Sequence, residues 1–198
     1  MPKVVPEYKE EARKKIIDAG LEVMSRKGYY NTTMDDIAAH LGVSKGALYL
    51  YFKNKDELVA AIVENFHIKN RDSARETFPT QTPLKAWYDF FDRIVTFDPE
   101  YSAFIFEIAA MAVRNDVIRE SYSDDLKQSL EMASNGIACQ QRSGLVRSDI
   151  DPRTLAVAII AIFSGLRTLA IAGVEPDELR ERWMEIGRIL FGLTTDSQ

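Results

Sequence analysis

Apolar residues recur along this chain at spacings of three and four, and no stretch alternates with period two for long enough to propose a strand. The pattern predicts an all-α fold of about nine helices. The first runs from about Glu7 to Lys27, with Ile16, Ile17, Leu21 and Met24 on one stripe and Gly28 at its end. Thr33 opens a short helix as its cap, Asp36 follows where a carboxylate favours the helix dipole, and Gly42 stops it after Leu41. Ser44 caps another short helix to about Tyr51, and Asn54 caps a long one from Lys55 to near Thr77. Beyond a break at Pro79 to Pro83, helices are predicted from Pro83 to Phe97, from Pro99 to Arg114, and from Asn115 or Asp116 to just before Gly144. Two more run from Pro152 to Gly173 and from Pro176 to Gly192; Asp98-Pro99 and Asp151-Pro152 are both cap-then-proline starts.

The segment Thr32 to Leu58, TTMDDIAAHLGVSKGALYLYFKNKDEL, carries the chemistry. Two short helices joined by Gly42-Val43-Ser44 form a helix-turn-helix, with Ile37, Ala38, Leu41, Val43 and Leu48 as its small core. Lys45, Gly46 and Ala47 put a cation and two small residues at the start of the second helix, a shape suited to close entry into a major groove. Ser44 precedes them, and Thr33, Tyr49 and Tyr51 offer hydroxyls to phosphates. Lys53 and Lys55 add charge where the next helix begins. Lys45 and Lys55 can also be read as solvated surface charges.

These residues resemble the DNA-binding domain of the TetR family of bacterial and archaeal transcriptional regulators, whose pattern of TT, IA, GVS, ALY, YF and K(D/E)EL they meet almost position by position. The resemblance covers the first third of the chain directly. It implies a homodimer that binds a palindromic operator and leaves it when a small molecule enters the C-terminal domain. The expected division is therefore a DNA-binding domain over 1–54 and a ligand-binding and dimerisation domain over 55–198, with 55–77 as a connecting helix. A repressor released by an apolar or amphipathic effector is the leading expectation; a DNA-organising or segregation protein without a ligand is the alternative.

In the C-terminal two thirds, an excess of aromatic side chains predicts an effector site between Pro83 and Ser143, lined by Trp87, Tyr88, Phe91, Phe104, Glu107, Met111, Tyr122 and Asn135. Glu107 reads either as a polar anchor there or as a carboxylate reaching solvent. Gly136, beside Asn135, suggests close packing or a ligand-facing notch. Ala158, Ala161, Gly165, Thr168 and Ala172 form a small-residue face on the next helix. Together with Trp183 and Gly187 on the last, they predict a four-helix association surface across a twofold axis.

Composition narrows the field further. The 198 residues carry a net charge of -5, yet Met1 to Leu58 hold 10 basic and 9 acidic residues, so a nucleic-acid surface belongs in the first third. One cysteine, Cys139, excludes an intrachain disulfide framework and fits a reducing compartment. The N-terminus lacks the apolar core of a secretory signal, which places the chain in the cytoplasm. Leu155 to Ala172 only just reaches spanning length and is interrupted by Ser164, Gly165, Arg167 and Thr168, so it reads as a helix of a soluble protein. Two histidines, no Gly-rich phosphate loop and no clustered metal-ligand spacing argue against an enzyme, a metal or a cofactor.

Overall fold

A computed structural model describes residues 6–65, 85, 87–89, 91 and 99–192. Among them the chain is all helix: α1 (Pro6–Lys27), α2 (Met34–Leu41), α3 (Lys45–Tyr49), α4 (55–65), α5 (85, 87–89 and 91), α6 (Pro99–Ala112), α7 (Asp116–Arg142), α8 (Pro152–Ile171) and α9 (Pro176–Phe191). The predicted continuation of α4 to Thr77 and the break at Pro79 to Pro83 lie outside the described residues.

Helix ends follow local chemistry. The Asp151 carboxylate caps α8 by accepting the Thr154 N–H at 2.9 Å, and Pro152 fills the first turn, where its missing N–H is no loss. Asn115 Oδ1 accepts the N–H groups of Val117 and Ile118 at 3.1 and 3.3 Å, which settles the start of α7.

Two compact units result, Met1–Phe66 with Ala103–Asp125, and His67–Ser102 with Leu126–Gln198. The division differs from the expected boundary at residue 54, because α6 and α7 each belong partly to both units. In the first unit, Ile16, Ile17, Met24, Ile37, Leu48, Phe52, Leu58 and Ile62 share a core with Phe104, Ile108, Met111 and Ile118. Ser121 on α7 also donates to the carbonyl of Ala60 on α4 at 3.0 Å. Val43, expected in this core, is 45% exposed.

In the second unit the core is built on two tryptophans. Trp87 and Trp183 stack with ring centroids 3.8 Å apart, and each indole N–H donates to the other residue's carbonyl, at 2.9 and 3.0 Å. Phe91, Leu155, Leu166, Leu179 and Phe191 surround them. Leu179, Trp183, Gly187 and Phe191 recur every four residues, so α9 buries one stripe. Trp183 and Gly187 were expected at a subunit interface; the structure places both in this chain's own core. The expectation failed because spacing reveals an apolar stripe but not what covers it.

Candidate nucleic-acid interface

The turn between α2 and α3 is fixed by two backbone hydrogen bonds. Gly42 N–H reaches Ala39 O at 3.2 Å and Val43 N–H reaches Ala38 O at 3.0 Å, a Schellman closure that requires the left-handed φ of 68° at Gly42. At the other end of α2, Thr33 and Asp36 make a reciprocal cap. Asp36 N–H donates to Thr33 Oγ1 at 3.1 Å and Thr33 N–H to Asp36 Oδ2 at 2.8 Å.

Lys27 donates to the same Asp36 carboxylate at 2.7 Å. That ammonium first, then the Thr33 hydroxyl and N–H, hold the Asp36 carboxyl well below the usual carboxylate range. A depressed folded-state pKa gives stability that is present above the unfolded value of about 3.9 and is lost as pH falls from there toward the folded value. Asp36→Asn should therefore lower the melting temperature at pH 7, and the gap to the unsubstituted protein should close as pH drops below about 4. A gap that persisted unchanged to pH 2 in thermal denaturation would show that the charge is not what stabilises the cap.

Ser44 caps α3 by accepting the Ala47 N–H at 3.3 Å. Lys45, Gly46 and Tyr49 are exposed and Ala47 is half-buried, while Leu48 anchors the helix in the core. The Lys45 ammonium rests 2.8 Å from Asp35 and 6.0 Å from the Tyr49 ring centroid. Asp35 raises its pKa and keeps it charged. Tyr51 is half-buried and packs against the core, so less of it faces outward than of Tyr49. Lys53 is exposed, with its ammonium 3.9 Å from Glu57.

Lys55 departs from the sequence reading. Its ammonium donates to the carbonyls of Tyr29 and Thr32 at 2.5 and 2.6 Å and lies 3.9 Å from the Tyr29 ring centroid. Burial lowers its pKa, against the opposing pull of Asp56 and Glu107. It is neither a solvated charge nor a cation presented to a phosphate; it closes the 28–32 turn onto α4. Lys55→Ala should destabilise the first unit by about 1.5 to 3 kcal/mol, the value of a charged hydrogen bond. The salt dependence of DNA affinity should keep its slope, whereas loss of a phosphate contact would reduce that slope by about 1. Chemical denaturation and binding at several salt concentrations check the two halves separately.

Sequence reasoning missed the polar cluster around Tyr29. Its hydroxyl donates to Asp56, whose other oxygen accepts the Asn115 side-chain N–H at 2.8 Å. Its backbone N–H donates to Glu107 Oε2 at 2.8 Å. Burial and then Asp56 push the Tyr29 phenol up, so it stays a donor. Glu107 does not simply reach solvent: it ties α6 to the turn before α2. Tyr29 and its partners are separated by up to 78 residues, and no local pattern announces such a pairing.

The predicted effector residues divide between the two units. Trp87 and Phe91 belong to the second unit's core, whereas Phe104, Met111 and Tyr122 belong to the first unit's. Asn135 and Gly136 are exposed, and a Cβ on Gly136 would meet nothing within 4 Å, so packing among the described residues does not explain the glycine. Tyr88 borders an open groove of about 430 Å³ whose other walls are Arg180, Glu181, Arg182, Met184, Glu185 and Arg188. The groove is charged rather than aromatic.

On α8, Ala161, Gly165, Thr168 and Ala172 are exposed and Ala158 is half-buried. Val157, Leu169 and Ile171 are also exposed, at 49%, 46% and 52%. The hydroxyls of Ser164 and Thr168 donate back to the carbonyls of Ile160 and Ser164 at 3.0 and 3.1 Å, which satisfies both within the helix. By length and composition α8 could cross a membrane. Leu155, Ala156 and Leu166 instead pack into the second unit's core.

Comparison with known proteins places this geometry. The profile of bacterial regulatory proteins of the tetR family matches residues 16–62, which span most of α1 through α4. The uncharacterised HTH-type transcriptional regulator YfiR of Bacillus subtilis is 40% identical over 63 residues, 32% of this chain and 31% of that protein. The HTH-type transcriptional regulator TtgR of Pseudomonas putida is 26% identical over 95% of both chains. A TetR-family transcriptional regulator from Rhodococcus sp. shares the fold, with a TM-score of 0.80 at 20% identity over 92% of this chain and 99% of that one.

Proposed function

The chain belongs to the TetR family of bacterial transcriptional regulators, and on that premise we propose that it is a homodimeric repressor that binds a palindromic operator in the cytoplasm and leaves it when a small apolar or amphipathic molecule binds. The observation that carries the reading is α3 itself. It is a short helix pinned by Leu48, capped by Ser44, and small and cationic over Lys45-Gly46-Ala47 where it would meet base edges. Thr33, Ser44, Tyr49, Tyr51 and Lys53 flank it as phosphate partners that fix register.

Dimerisation through α8, with the exposed side of α9, is favoured by the uncovered apolar side chains described above, to which Ile189 adds another at 64% exposure. The effector reading rests on the family and on chain continuity. A ligand held in the second unit acts on DNA only by favouring one of two conformations, and α6 and α7 run from that unit into the first, where Glu107 and Asn115 grip Tyr29 and Asp56. Coupling of about 1 to 3 kcal/mol would change operator affinity about 5- to 150-fold.

Footprinting tests the reading in two stages. The protein should protect one palindrome, and a hydrophobic amine, fatty acid or aromatic acid that perturbs tryptophan fluorescence should remove that protection. No protected sequence would refute the DNA-binding reading. Protection that no such compound reverses would refute the effector reading and leave the first intact.

A further inference from the structure

An α-helix turns about 100° per residue, so the outer face of α3 follows from the one side chain it buries. Leu48 is fully buried. Gly46 and Leu50, two residues to either side, therefore both lie about 160° from it and one turn from each other. Leu50 keeps helical angles, φ -71° and ψ -21°, so the projection holds through it. Gly46 has no side chain, and Leu50 is left as the bulk of the face opposite the core. It is 83% exposed, more than any other described large apolar side chain.

A leucine in that position adds nothing to the folded chain's core. On a helix that enters the major groove, an aliphatic group has one chemical match among the base edges, the 5-methyl of thymine. Lys45 and Tyr49, elsewhere around the same short helix, would carry the polar contacts. We propose that Leu50 is a specificity-determining residue that reads a thymine methyl group in each operator half-site. The inference rests on the DNA-binding role of α3 given above.

The test replaces thymidine by deoxyuridine, which keeps every hydrogen-bonding edge and lacks only the methyl. The full-length protein first selects a duplex from a random library. That duplex is then remade with deoxyuridine at each thymine position in turn, symmetrically in both half-sites. One position should weaken binding about fourfold per half-site, the effect of exposing one methyl-sized group. Leu50→Ala should bind the thymidine and deoxyuridine duplexes equally at that position, and Leu50→Met should restore part of the difference. A merely structural leucine would lower affinity for both duplexes alike. Indifference of the unsubstituted protein to deoxyuridine at every position, or full discrimination retained by Leu50→Ala, would overturn the proposal while the DNA-binding reading stood. If no duplex were enriched, both would fall.

Discussion

Gly165→Leu should leave the subunit folded and abolish the dimer. A Cβ built on Gly165 meets nothing within 4 Å among the described residues, so the larger side chain has room in the isolated subunit. At a close helix contact between subunits the same side chain overpacks, at about 1 to 3 kcal/mol per site, and twofold symmetry imposes the cost twice. The dimer should weaken roughly 30- to 20,000-fold. Operator affinity should fall with it, because one helix-turn-helix on one half-site binds weakly. Sedimentation together with helical content by circular dichroism separates the outcomes: a folded monomer is expected, and a dimer of unchanged affinity would move the interface off α8.

Gly187→Ala should do the opposite, damaging the subunit itself. In an open helix position this exchange stabilises by about 1 kcal/mol. Here the new Cβ would come within 2.2 Å of Trp87 Nε1 and 2.6 Å of two further indole atoms. Moving that ring disturbs its stack on Trp183 and both N–H to carbonyl bonds. A net loss of about 1 to 3 kcal/mol is expected from overpacking, visible as a melting temperature lowered by roughly 2 to 12 °C. Gly136→Ala, on an exposed and open stretch of α7, is the control and should raise stability slightly. A Gly187→Ala protein as stable as Gly136→Ala would mean that Trp87 does not pack against α9 at Gly187 as described.

What the sequence revealed and what it hid divide along the range of the interactions. The bounds of α2 and α3 were legible because Thr33, Asp36, Gly42 and Ser44 act within three to five residues of their own positions. The start of α8 was legible for the same reason, through Asp151 and Pro152. Lys55 was misjudged because its partners, Tyr29 and Thr32, lie 26 and 23 residues upstream. Glu107 and the Trp87–Trp183 pair were out of reach for the same reason, at separations of 78 and 96 residues. Aromatic excess put Phe91 and Phe104 in one predicted site, but it carries no information about which core receives each side chain, and the two went to different ones. Leu50 is the reverse case. Nothing in the local pattern singles it out, and only its exposure opposite Leu48 shows it as the outward group of α3.

The most direct test of the account is the dependence of affinity on the spacing of two half-sites. A dimer whose paired α3 helices read a palindrome requires those half-sites on one face of the duplex, about one helical turn or a multiple of it apart. Inserting five base pairs at the centre of the selected palindrome turns one half-site to the opposite face. Affinity should then drop toward the nonspecific level, on the order of 10³-fold or more. Equal affinity for the original and the five-base-pair insertion would contradict a dimer reading both half-sites at once.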